Sequence, residues 1–129
     1  MIRREDLPTC PVVAVYGDLD FSNVASFDAA LSTLAAELVV IVSLEHATFI
    51  DSTVLSALLR RYREHAGAVV VVLPGHSSLG RIFDVTGLRG ILGVTPDMTR
   101  AAQLAAAQRS FAGASVTGDG VVPGKSPSP

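Results

Sequence analysis

Three short segments hold the polar residues that could do chemistry. Gly17-Asp18-Leu19-Asp20 closes a Val-rich run, Phe49-Ile50-Asp51-Ser52-Thr53 joins an apolar run to a stretch of helical periodicity, and residues 78–88 end in Thr86-Gly87-Leu88. The second has the most definite physics. Ser52 stands where a helix is expected to begin, so its hydroxyl lies at the positive end of the helix dipole. A phosphate there gains from the dipole and from free N–H groups. It also brings roughly −1.5 to −2 charges beside Asp51, and towards Asp18 and Asp20. Such a change alters what docks on the surface while leaving the fold alone. On residue types alone, Asp-Ser-Thr before an apolar periodic stretch reads first as an ordinary helix cap. Asp18 and Asp20 likewise read first as solvated turn acids, and the functional reading stays open beside it.

Other chemistries have little support. There is no G-x-x-x-x-G-K-[ST] or G-x-G-x-x-G phosphate loop and no G-x-S-x-G elbow. His46, His65 and His76 fall on separate elements, and no Cys and His share metal-ligand spacing. Nothing in sequence supplies an activating base for Ser52. A non-enzymatic protein without cofactor or metal is expected. The single Cys10 excludes an internal disulfide, fits a reducing cytosol and reads as an incidental thiol. The net charge is −2 with no Lys/Arg-rich run, so no nucleic-acid footprint exists. No apolar run approaches the roughly 20 residues of a membrane span. The opening MIRREDLPTC has no apolar h-region, which argues against a secretory signal. A cytoplasmic location is the expectation.

The elements that must position these residues follow from hydrophobic patterning. The chain of 129 residues suits one domain, and 49% hydrophobic content with 5% aromatics implies an aliphatic core of the kind found in a helix-covered sheet. Strands are expected at 11–17, 38–44, 68–73 and 91–94. Residues 45–50 are expected to form a loop turning towards Asp51. Helices are expected at 22–36, capped by Ser22 or Asn23; at 52–66, with Gly67 just past its end; after Ser77 or Ser78, ending at Gly87; and from Thr95-Pro96-Asp97 to about Phe111. In that last start Thr95 supplies the cap oxygen and Pro96 the first helical position. On the second helix Leu55, Leu58, Leu59 and Tyr62 make the apolar stripe, while Arg60, Arg61, Arg63 and Glu64 fall largely on the other side. Residues 1–112 form the domain, and 113–129, rich in Gly, Ser, Pro and Val, read as a disordered tail. Alternating strands and helices imply an α/β fold with parallel strands joined by right-handed crossovers. Whether the helices cover one face or both is not decided by periodicity.

Taken in order, the three segments resemble a known family. Gly17-Asp18-Leu19-Asp20 resembles G-[DE]-L-D, residues 48–53 resemble T-F-[IM]-D-S-[ST], and residues 81–88 resemble R-[IVL]-[FL]-x-[ILVM]-[ST]-G-L of the STAS domain, the fold of bacterial anti-sigma factor antagonists. The resemblance runs from about Val12 to Ala106. It implies a STAS fold, a small mixed β-sheet of four to five strands with its N-terminal strand antiparallel, packed with about four helices. It also implies a function. The unphosphorylated antagonist binds an anti-sigma factor that is itself a serine kinase, which frees the sigma factor for transcription. Phosphorylation releases the antagonist, and a phosphatase restores it. Carried over, Ser52 is the acceptor, Thr53 a minor one, and Asp51 orients the turn. Asp18, Asp20, Asp51, Ser52, Thr53 and Val54 contact the partner. The sequence departs from the family in having Val54 where Gly is usual, and in a short N-terminus that compresses the first hairpin into residues 1–17 and leaves its first strand frayed or absent. A constitutive STAS subunit of a transporter or signalling assembly, with no phospho-switch, is the alternative.

Overall fold

The computed structural model describes residues 1–64 and 69–117, and side chains as far as residue 110. In chain order the elements are β1 (Ile2–Arg4), β2 (Val12–Leu19), α1 (Val24–Ser32), β3 (Val40–Ile50), α2 (Ser52–Glu64), β4 (Val69–Val72), α3 (Gly80–Val85), a 3₁₀ turn (Leu88–Gly90), β5 (Gly93–Thr95) and α4 (Met98–Thr117). The strands form one sheet in sequence order, β1 antiparallel to β2 and every later pair parallel. This is the mixed α/β sheet that the STAS resemblance implies. His65 and Gly67 fall outside the described residues, as does the expected tail from 118 onwards.

Strand alternation decides which helices go where. Val13, Val15, Val40, Val42, Val69 and Val71 share a core with Phe27 and Leu31 of α1, Val54 and Leu58 of α2, and Phe83 of α3. Val12, Ile41, Val70 and Val72 turn the other way and pack with Ala101 and Ala105 of α4. Three helices therefore cover one face and one helix the other. All four residues of β4 are buried, as a strand covered on both sides must be.

Several boundaries differ from the expectation, each for a physical reason. Residues 45–50 are not a loop but continue β3, because they pair with β2 through Tyr16–His46 and Leu19–Ile50. Only Ile50 is buried there, so the stretch lacks the apolar run that marks the first half. Helix α1 stops at Ser32, and residues 33–37 continue in tighter turns that keep Leu34 buried. Arg61 holds that segment. Its Nη1 donates to Leu34 O and its Nη2 to Glu37 O, both at 2.8 Å. Arg61 is 3% exposed, so it belongs between α1 and α2 rather than on the outer side. Burial lowers its pKa, and the two carbonyls compensate the charge at the negative end of α1.

The helix caps are also reassigned. Asn23 makes no side-chain cap bond to α1. Its amide instead bridges the preceding turn, accepting from Asp20 N at 2.8 Å and donating to Asp18 O at 3.0 Å. Asp97, not Thr95, caps α4, its Oδ1 accepting from Arg100 N at 2.8 Å. Thr95 ends β5 and donates to Val71 O. The first strand is present, bonded to β2 from Ile2–Val15 to Arg4–Val13. Helix α4 extends past Phe111 to Thr117.

Candidate functional site

The parallel strands β2 and β3 end side by side, and their ends bring two of the sequence segments together. Gly17 adopts φ 80°, a conformation that glycine reaches without strain, just before Asp18. Here the register between β2 and β3 slips, so that Asp18 lies opposite Phe49. Thr48 then donates its hydroxyl to Asp18 Oδ1 at 2.6 Å. Asp20 folds back on its own turn and accepts from Ser22 N at 2.9 Å and Ser22 Oγ at 2.5 Å.

Asp51 is the residue before α2 and joins the two strand ends. Its carbonyl accepts from Val54 N and Leu55 N. Its Oδ1 accepts from Thr53 N at 3.0 Å and Thr53 Oγ1 at 2.5 Å. Its Oδ2 reaches across to Phe21 N, 2.9 Å away in the β2–α1 turn. The Thr53 hydroxyl above all, and the backbone N–H donors with it, hold the Asp51 carboxyl below the usual carboxylate range.

Ser52 follows, exposed on the first turn of α2. Among the described residues no hydrogen bond engages its hydroxyl. Thr53 is half-buried and its hydroxyl serves the cap. Val54 is 0% exposed and packs in the core. It is the one expected contact residue that the fold keeps from the surface, because a position three residues beyond Asp51 faces the sheet. Its part is to seat the helix.

The fold also shows features that motif reading missed. Phe21 and Phe49, 77% and 47% exposed, flank the α2 start. Val85 of α3 is 77% exposed. Between β3 and α3 runs an open groove of about 420 Å³, lined by Thr48, Phe49, Ile50, Leu79, Ile82 and Val85 together with Ser78 and the exposed Arg81. Alternation along β3 could have indicated Phe49, since its neighbour Ile50 must point inwards. Residues 78–88, the third segment, reach the site only through this groove. Asp84 of that segment is instead tied by Arg89, just past its end, at 2.6 Å. Elsewhere Cys10 is buried with Sγ near Val39 O, and burial raises its pKa. No group of His, Cys, Asp and Glu among the described residues is placed to hold a metal, and no helix among them is long and apolar enough to cross a membrane.

The family model described as the STAS domain matches residues 1–101. The chain belongs to the STAS domain family. Among solved structures, this STAS domain is similar to an anti-sigma factor antagonist from Mycobacterium paratuberculosis, 23% identical with a TM-score of 0.72, over 81% of this chain and 92% of that one. It is also similar to the anti-sigma factor antagonist SpoIIAA in its unphosphorylated form, 21% identical with a TM-score of 0.61, over 79% and 94% of the two chains. The Bacillus cell fate determinant SpoIIAA in its phosphorylated form is 23% identical with a TM-score of 0.58, over 81% and 99%. At these identities the likeness establishes the fold. No curated protein sequence matches the chain.

Proposed function

We propose that this STAS domain is a phospho-switched anti-sigma factor antagonist. Unphosphorylated, it binds an anti-sigma factor with serine kinase activity in the cytoplasm and thereby regulates sigma-factor-dependent transcription. The kinase transfers the γ-phosphoryl group of ATP to Ser52 Oγ. A new O–P bond forms, the β–γ bridge breaks, ADP departs and the hydroxyl proton is lost. The phosphoprotein is released, and a phosphatase resets it.

One observation carries this reading: an exposed serine hydroxyl, with no hydrogen bond among the described residues, stands at the mouth of a helix whose preceding residue is a cap carboxylate. Thr53 is a poorer acceptor because its hydroxyl serves Asp51. A phosphate on Ser52 would place roughly −1.5 to −2 further charges beside Asp51, and towards Asp18 and Asp20, without disturbing a buried contact. Docking changes, and the fold does not.

The test is affinity capture from the native host with and without ATP, followed by intact mass and phosphosite mapping. One phosphate at Ser52, none on Ser52→Ala, and a tenfold or greater loss of the captured anti-sigma factor by Ser52→Asp are expected. Unmodified Ser52, with Ser52→Asp binding as the wild type does, would overturn the switch and leave a constitutive interaction subunit.

A further inference from the structure

The groove beside Ser52 exists because two paired strands differ in length. β4 pairs with β3 only over residues 40–43, while β3 runs on to Ile50. Among the described residues the last seven of β3 have no strand on that side, and the short helix α3 fills only part of the gap. Ile50 and Leu79, 3% and 7% exposed, form its floor, and Phe49 and Val85 stand open on its rim. Thr48 lines the groove and also donates its hydroxyl to Asp18. Groove and acidic edge are therefore one continuous surface.

The charges on that surface are unlike those elsewhere. Seven aspartates lie among the described residues. Asp6, Asp28, Asp84 and Asp97 sit against Arg4, Arg60, Arg89 and Arg100. The remaining three, Asp18, Asp20 and Asp51, make hydrogen bonds to hydroxyl and backbone donors but no ion pair among the described residues. A second copy of the chain would bring the same acids face to face, which is repulsive. A cationic partner is matched.

We propose that the β3–α3 groove is the apolar half of the partner-binding surface, and that it takes a segment of a protein partner in which an apolar side chain lies beside an arginine or lysine. The apolar side chain seats between Phe49 and Val85, and the cation meets Asp18, Asp20 and Asp51. The identity of that partner rests on the reading of Ser52 given above, whereas the groove's occupancy does not. Buried apolar contact at the centre supplies most of the affinity, and the acids supply orientation and salt sensitivity.

The test selects twelve-residue peptides from a random display library on the unmodified protein. Affinity of the enriched peptides is then read by fluorescence anisotropy against wild type, Phe49→Ser/Val85→Ser, Asp18→Asn/Asp20→Asn and Ser52→Asp. Both groove positions are exposed, so the variants should keep the wild-type melting temperature, which is checked first. Enriched peptides should carry Arg or Lys within a few residues of Leu, Ile, Phe or Met. The groove variant should weaken them about tenfold or more, and added salt should weaken them further. Enrichment of acidic peptides, failure to enrich any binder, or equal binding by the groove variant overturns the proposal. So does self-association of the wild type that Phe49→Ser/Val85→Ser abolishes, which would give the groove to a second copy. A tenfold gain in peptide affinity on deleting residues 118–129 would give it to the chain's own end. Peptides lost on the groove variant but held equally by wild type and Ser52→Asp keep the groove and remove the switch. The opposite pattern keeps the switch and removes the groove.

Discussion

Helices α2 and α4 start in the same way and end up with different work. Each is preceded by an aspartate whose carbonyl and carboxylate both accept from the first turn: Asp51 from Thr53, Val54 and Leu55, Asp97 from Arg100 and Ala101. At α4 the acid also faces Arg100, with Nε 3.9 Å from Oδ2. At α2 the acid makes no ion pair among the described residues, an exposed serine follows, and the second carboxylate oxygen is spent on Phe21 of another element. A capping aspartate is generic chemistry. What would suit one cap, and not the other, to the proposed docking is the missing ion pair and the neighbouring segments drawn in around it. The helices behind the caps differ too. α2 is seated by Val54, Leu55 and Leu58, α4 by Ala101 and Ala105.

The comparison can be broken most readily in the core. Leu58→Ala should lower the unfolding free energy by roughly 2–5 kcal/mol, the cost of a large buried side chain and its cavity. Ala101→Gly in α4 should lower it by about 1 kcal/mol. Chemical denaturation reads both, and equal losses would mean that α4 is as deeply anchored as α2. At the caps, Asp97→Ala should cost about 1 kcal/mol. Asp51→Ala should lower the melting temperature further, because it strips acceptors from Thr53 and from the Phe21 turn together. A smaller effect at Asp51 would show that the cross-link to Phe21 contributes nothing. Third, β5 and α4 are in close contact: a Cβ on Gly93 would stand 2.7 Å from Leu104 Cδ2. Gly93→Ala should therefore cost roughly 1 kcal/mol, since a leucine methyl can turn aside.

The smallest effect is on acid stability. The Asp51 carboxyl lies below its ordinary value of 3.8 in the folded protein. A group depressed in this way stabilises the fold fully above that value, and the contribution fades as pH falls through the lower folded one. Below about 3.8 the wild type should lose stability more steeply than Asp51→Asn. The difference should be modest, because the group is solvated; Asp6, held down by Arg4, titrates in the same window in both proteins and cancels from the comparison. Parallel curves would show that the cap carboxylate is not needed in its charged form.

Much of this arrangement was legible in the residues. The apolar runs at 38–44 and 68–73 marked the central strands, and leucine spacing placed α2 with Ser52 at its start. Other parts were hidden because they depend on contacts distant in sequence. The far half of β3 carries Glu45, His46 and Thr48, which read as loop, and only the partner strand β2 makes it β. Residues 33–36 continue a helical pattern, and it is Arg61, 27 residues beyond Leu34, that binds the carbonyls on which the chain departs. Asn23 and Thr95 look like cap residues, yet nearer or better-placed partners claim them. The groove was the least legible feature, for it arises from one strand outlasting its neighbour.

The bonds from Thr48 to Asp18 and from Phe21 to Asp51 stitch the β2–α1 turn to the α2 start before any partner arrives. Little freedom is then left to lose on association, which favours affinity from a small area. Rearrangement of this turn is equally unsuited to serve as a release mechanism. A negatively charged group added here would act by repulsion across a rigid boundary, and its signature would be faster dissociation with an unchanged shape.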